Sequence, residues 1–125
     1  MYTVTVTRSF VAQHFLTVPD PGPEGERHSH TFDVEARLAG PELDEYGYLV
    51  DIDDVKAGLD AVEARYRDET LNYLPEFEGQ NPSVEQFASH VADYLRETCD
   101  LSNVAELSVR IWEDEKACAA YETTL

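Results

Sequence analysis

Tyr2, Val4 and Val6 alternate with Thr3, Thr5 and Thr7, the period of two that places apolar side chains on one face of a β-strand and hydroxyls on the other. The pattern predicts a first strand from Tyr2 to about Phe15, through a bulge near Arg8 and Ser9, with Gln13 and His14 at its end. The run Pro19-Asp20-Pro21-Gly22-Pro23 cannot continue a ladder, because three prolines remove donors and Gly22 permits a turn. A second alternation then sets Phe32, Val34, Ala36 and Leu38 against Thr31, Asp33, Glu35 and Arg37, and the strand ends near Gly40-Pro41.

After a turn at residues 44–47 the period changes. Val55, Leu59, Val62 and Tyr66 recur at helical spacing, behind Asp51 or Asp53 as N-cap. Ser83 and Gln86 have capping-box spacing ahead of Val84, Phe87, Ala88, Val91 and Leu95, which predicts a second helix. Residues 68–80 between them read as a polar connection anchored by Leu71 and Leu74. The period of two returns at Leu107, Val109 and Ile111, a turn is expected at residues 114–116, and residues 117–124 read as a last strand. This ββααββ order predicts an α+β fold: a four-stranded antiparallel sheet with two helices on one face. The remaining edges and the uncovered face would find partners if several copies joined their sheets into a barrel.

With 125 residues the chain has room for one domain, 1–125, and not for two ordinary ones. Twenty-six acidic residues face nine basic ones, a formal charge of -17, and only Lys56 and Lys116 are lysines. Such a field repels nucleic acid and anionic membranes. It suits a salt-rich cytosol, where like-charge repulsion is screened within a few ångströms at molar ionic strength. Cys99 and Cys118 form neither a disulfide framework nor a C-x-x-C motif and are expected to be small buried thiols. The first residues read as a strand, not a leader, and no apolar run approaches the roughly 20 residues of a membrane span. The expected location is the cytoplasm.

Three of the four histidines fall at strand ends: His14 closes the first strand, and His28 and His30 open the second, two apart and on one side of it. Three imidazoles at one point leave the fourth corner of a tetrahedron for water or substrate, as a catalytic zinc site requires. The same His-x-His pattern also occurs at solvated strand ends. The remaining histidine, His90, lies mid-helix and reads as structural or surface.

Gln13-His14-Phe15, His28-Ser29-His30, Gly47-Tyr48-Leu49-Val50-Asp51 leading to Lys56, Leu71-Asn72, Pro82-Ser83-Val84-Glu85 and Trp112-Glu113 resemble, in order, the motifs of the 6-pyruvoyltetrahydropterin and 6-carboxytetrahydropterin synthase family. The resemblance spans nearly the whole chain. It implies zinc held by His14, His28 and His30. It also implies the tunnelling fold, in which three subunits close a barrel and two trimers stack as a homohexamer with active sites at subunit interfaces. Glu113 would accept two parallel hydrogen bonds from the pterin ring, the fork geometry that makes carboxylate pairing specific. Ser83 and Glu85 match the segment lining the pterin pocket, although capping and helix-dipole complementarity account for both equally well. Asp51 matches a structural position.

The chain also departs from the family pattern. Where the family has a proton-transferring cysteine, four residues before the first histidine of the pair, this chain has Glu24. A branch making 6-hydroxymethyl-dihydropterin carries glutamate three residues before it, and Glu26 lies two before. The family's Asp-His pair ahead of Leu-Asn is replaced by Asp68 and Glu69, or by Arg67 and Asp68 if aligned without a gap, and Ser29 replaces a glycine. The implied function is a zinc-dependent pterin enzyme converting 7,8-dihydroneopterin triphosphate, or a close relative, to a 6-substituted pterin such as 6-carboxytetrahydropterin, on the route to deazaguanine nucleosides, or 6-pyruvoyltetrahydropterin. Glu24, Asp68 and Glu69 would move protons. The alternatives are a hexameric pterin- or metal-binding relative without catalysis, and the 6-hydroxymethyl-dihydropterin variant. For an anionic triphosphate, Arg8 and Arg27 are the expected positive charges near the site.

Overall fold

The computed structural model describes residues 1–125. Strands β1 (Tyr2–His14), β2 (His28–Gly40), β3 (Glu106–Trp112) and β4 (Cys118–Thr124) form one antiparallel sheet in chain order, with helices α1 (Ile52–Tyr66) and α2 (Val84–Thr98) inserted between β2 and β3. The architecture is the α+β arrangement that the alternation predicts. Asp51 caps α1 by accepting from the Asp53 amide, and Ser83 caps α2 by accepting from the Gln86 amide, each satisfying a donor that the first helical turn would leave orphaned.

The β1–β2 ladder runs from Tyr2↔Gly40 to His14↔His28 in one unbroken register. The bulge expected near Arg8 and Ser9 is therefore absent. Arg8 keeps its place on the inner face because α1 offers its guanidinium polar partners: its Nε reaches Asp60 at 2.8 Å and its Nη2 the Lys56 carbonyl at 3.4 Å. Alternation survives without an extra residue.

The inner face carries the core. Phe10, Phe32, Val34, Ala36, Leu38, Leu107, Val109 and Ile111 are buried beneath Val55, Leu59 and Val62 of α1 and Phe87, Val91 and Leu95 of α2. Phe87 is the hub: its ring stands edge-on to Phe32, Tyr66, Phe10 and Phe77, with centroids 4.9–6.3 Å away, a geometry aromatic rings favour. Leu71 anchors the connection as its spacing suggests, and Phe77, a position the helical and strand periods do not flag, is buried beside it.

Neither cysteine is the buried thiol expected. Cys99 is half-buried with its Sγ 3.8 Å from the Asp54 carbonyl, and burial raises its pKa. Cys118 is exposed, because the phase of β4 turns Ala119, Tyr121 and Thr123 inward and leaves Cys118 on the outer side. No helix is long and apolar enough to cross a membrane.

Candidate metal centre

β1 and β2 meet at His14↔His28, with Ala12 opposite His30. All three histidines occupy the phase that elsewhere on these strands builds the core, so the imidazoles extend the inner face by one more layer. Their ligand atoms lie within 4.8 Å of one another. The rings are packed edge to face, with centroids 4.6 Å (His14 and His28), 5.2 Å (His14 and His30) and 4.9 Å (His28 and His30) apart, and Phe32 closes the inner side.

Backbone carbonyls orient two of the rings. His14 Nδ1 donates to Pro82 O at 2.8 Å and His28 Nδ1 donates to Glu26 O at 2.8 Å. Because a carbonyl only accepts, each bond fixes a proton on Nδ1, so that in the neutral ring Nε2 is the nitrogen with the free lone pair. Burial, first of all, lowers the His14 pKa; the Pro82 carbonyl raises it, His28 and His30 lower it further, and Glu24 raises it. A neutral imidazole is the form that binds a metal. His28 Nε2 and His30 Nε2 are buried without a hydrogen-bond partner, a condition that costs about 1–3 kcal/mol per group when nothing satisfies it. Two orphaned ring nitrogens beside a third imidazole fit a transition metal that prefers nitrogen donors, such as zinc.

The other sequence candidates divide sharply. Glu113 lies beside the cluster, half-buried, with Oε2 3.9 Å from His30 Nε2. It sits at the mouth of the β3–β4 hairpin, where its amide donates to Ala117 O and Asp114 closes the turn by accepting from the Lys116 and Ala117 amides. Glu24 stands on an exposed 3-10 turn, Gly22–Gly25, whose carboxylate is close enough to act electrostatically on His14. Glu26 contributes its carbonyl. Ser83 is occupied as the cap of α2, and Glu85 is exposed in its first turn. Asp68 and Glu69 are exposed; their backbone pairs with the outer edge of β1, Asp68 N to Val11 O and Gln13 N to Glu69 O, and the Asp68 carboxylate lies 3.9 Å from Arg67. Arg8 is not at this site: Asp60 and the Lys56 carbonyl hold it at mid-strand. Arg27, adjacent to His28, is exposed and makes no ion pair. His90 is structural, Nε2 to Gln80 Oε1 at 2.8 Å, with its ring against Phe77.

Sequence reasoning missed Pro82, whose carbonyl orients a ligand, and the side chains of Asn72 and Asn81. Asn72 bonds both the amide and the carbonyl of Phe15, at 3.0 and 2.9 Å, and Asn81 accepts from the Thr17 amide at 2.9 Å. Asparagine in a polar connection carries no periodic signal; Asn72 is marked only by its place in the Leu-Asn motif, and Asn81 by standing next to Pro82.

Residues 3–124 match the family model described as 6-pyruvoyl tetrahydropterin synthase. The chain belongs to this family. A Pyrococcus abyssi protein with the provisional name 6-carboxy-5,6,7,8-tetrahydropterin synthase is 26% identical, covering 95% of this chain and 88% of that protein. Among solved structures, the 6-pyruvoyl tetrahydropterin synthase of Caenorhabditis elegans superposes with a TM-score of 0.80 at 22% identity, over 99% of this chain and 98% of its own. A Plasmodium vivax 6-pyruvoyltetrahydropterin synthase in which a catalytic glutamate is replaced by alanine does so with a TM-score of 0.81 at 16% identity, over the same shares. At these identities the structural likeness establishes the fold, and the 6-pyruvoyl tetrahydropterin synthase family assignment rests on the family model.

Proposed function

We propose that the chain is a metal-dependent pterin synthase acting on 7,8-dihydroneopterin triphosphate or a close relative, with zinc held by Nε2 of His14, His28 and His30. One observation carries the reading: three imidazoles, two of them oriented by backbone carbonyls, present their free nitrogens together, and the carboxylate of Glu113 stands 3.9 Å from one of them. A zinc ion in this setting supplies Lewis acidity, lowering the pKa of hydroxyl groups bound to it.

The chain's own residues supply the rest. Glu113 would accept the paired N–H groups of a pterin and so fix ring orientation relative to the histidines, a role its position 3.9 Å from His30 supports. Glu24 is the candidate proton carrier: its carboxylate acts electrostatically on His14, and a catalytic glutamate in the Plasmodium vivax protein supports a carboxylate in such a role. Asp68 and Glu69 are exposed, with their backbone on the outer edge of β1, so a role in proton transfer requires a site where two copies of the chain meet. The free outer edges of β1, before Val11, and of β4 favour such an assembly, and a hexamer is the reading that family resemblance supports. The acidic surface is read as adaptation to high salt, with Arg27 the one unpaired arginine beside the histidines.

Untagged protein is expected to carry about one transition-metal ion per chain by elemental analysis; none would refute the proposal. In high salt, Glu113→Ala should lose pterin binding and keep its metal. Glu24→Gln should lower product formation, followed by mass spectrometry, by about 10²–10⁴-fold, the usual contribution of a proton-transferring group. The absent histidine of the family's Asp-His pair, where Glu69 or, without a gap, Asp68 stands, favours one second reading, a binding protein without turnover. Saturable pterin binding with no product would establish it.

A further inference from the structure

β1 formally ends at His14, yet the chain continues as an extended segment whose ladder partners are side chains. Every second residue of this stretch turns its backbone to the outer edge, and each finds a partner in the connection between the helices: Val11 O accepts from Asp68 N, Gln13 N donates to Glu69 O, Phe15 pairs with Asn72, and Thr17 N donates to Asn81 Oδ1. The Asn72 amide is the only one of these groups that bonds both the N–H and the C=O of one residue. Its Oδ1 accepts from Phe15 N at 3.0 Å and its Nδ2 donates to Phe15 O at 2.9 Å, so a carboxamide, with acceptor and donor side by side, replaces a whole strand residue.

Phe15 lies between two functional neighbours. On one side is His14, whose Nδ1 bonds the carbonyl of Pro82, at the far end of the connection that carries Asn72. On the other is Leu16, whose amide turns to the opposite edge and donates to Glu24 O at 2.8 Å. Resting on the metal-centre reading above, we infer that Asn72 is a positioning residue: by gripping Phe15 it sets both the pointing of His14 Nε2 and the place of the Glu24 turn relative to the three histidines. The connection, the strand and the His14–Pro82 bond form a closed ring, and Asn72 is its clasp. An aspartate there would keep the acceptor and set a second oxygen against the Phe15 carbonyl; an alanine would release both.

Cobalt(II) titration of the metal-free full-length protein, followed by its visible absorption, reads affinity and ligand geometry without turnover. Asn72→Ala is expected to bind cobalt about 10–100-fold more weakly than wild type, the usual cost of losing a group that supports a ligand, and to shift the absorption bands while far-UV circular dichroism is unchanged. A folded Asn72→Ala with wild-type affinity and bands overturns the inference. Should that variant not fold, Asn72→Asp is read by the same criteria. A purely structural amide would lower the melting temperature in Asn72→Ala and in Asn81→Ala and leave the cobalt spectrum of both untouched, which also overturns it. Wild-type protein that binds no cobalt defeats the metal reading itself and the inference with it, so the two failures are distinct. For the Glu24 arm, combining Asn72→Ala with Glu24→Gln should cost less in turnover than the product of the single effects; multiplicative costs would remove that arm.

Discussion

Two stretches of the same sheet face obey one rule and end differently. In the middle, Phe32, Val34, Ala36 and Leu38 of β2 lie under α1 and α2; at one end, His28 and His30 hold the same phase of the same strand. The difference lies in what covers them. Over the middle of β2 sit two amphipathic helices, which lay their apolar faces on it. Over the end sit the 3-10 turn before β2 and the connection before α2, which offer backbone carbonyls from Glu26 and Pro82. A period of two selects a face, and the covering segment decides whether that face becomes core or site.

The sharpest test of this contrast is to damage each stretch in turn. Phe87→Ala removes the ring that touches four others under the helices and should destabilise the fold by about 3–5 kcal/mol, measured by chemical denaturation. His28→Ala should do the reverse, abolishing metal retention by elemental analysis while the denaturation midpoint of the metal-free protein moves little, because it removes an orphaned buried nitrogen together with the ring. If His28→Ala unfolds the metal-free chain as Phe87→Ala does, the histidine end is core after all.

A smaller effect separates the segments that hold the connection in place. Arg65 forks onto Glu76 at 2.7 and 2.6 Å, and Tyr66 donates to the same carboxylate at 2.8 Å. The Arg65 hydrogen bond, ahead of the other causes, draws the Glu76 pKa down from 4.5 to about 2. A depressed carboxylate contributes its stability above the unfolded value and loses it as pH falls through the folded one. Wild type should therefore lose about 1 kcal/mol, discounted for the part-exposed arginine, between pH 4.5 and 2. Glu76→Gln should lack that slope in denaturation measured across the same range.

Strand phase, helix caps, the order of elements and the convergence of His14, His28 and His30 were legible because each depends on side-chain identity at a fixed period. What the sequence concealed is of two kinds. Arg8 and Cys118 are set by phase over long strands: an unbroken register puts Arg8 on the inner face against Asp60, and the start of β4 puts Cys118 outside. The carbonyls of Pro82 and Glu26 are invisible for another reason, since every residue has one and only the fold says which is aimed at an imidazole. Glu24 and Glu26, two residues apart, illustrate both: one lies where its carboxylate acts on His14, and the other is used through its backbone.

Asn81, Pro82 and Ser83 hold, in three consecutive residues, the Thr17 amide, the His14 ring and the first turn of α2. The start of that helix is thus mechanically in series with the histidine cluster. Loading the site with zinc is expected to slow hydrogen–deuterium exchange at the Gln86 amide, which bonds the Ser83 side chain, and the Phe87 amide, which bonds its carbonyl, while exchange in β4 stays as it was. An ion at the end of the sheet would then be read out as the breathing rate of a helix that never touches it.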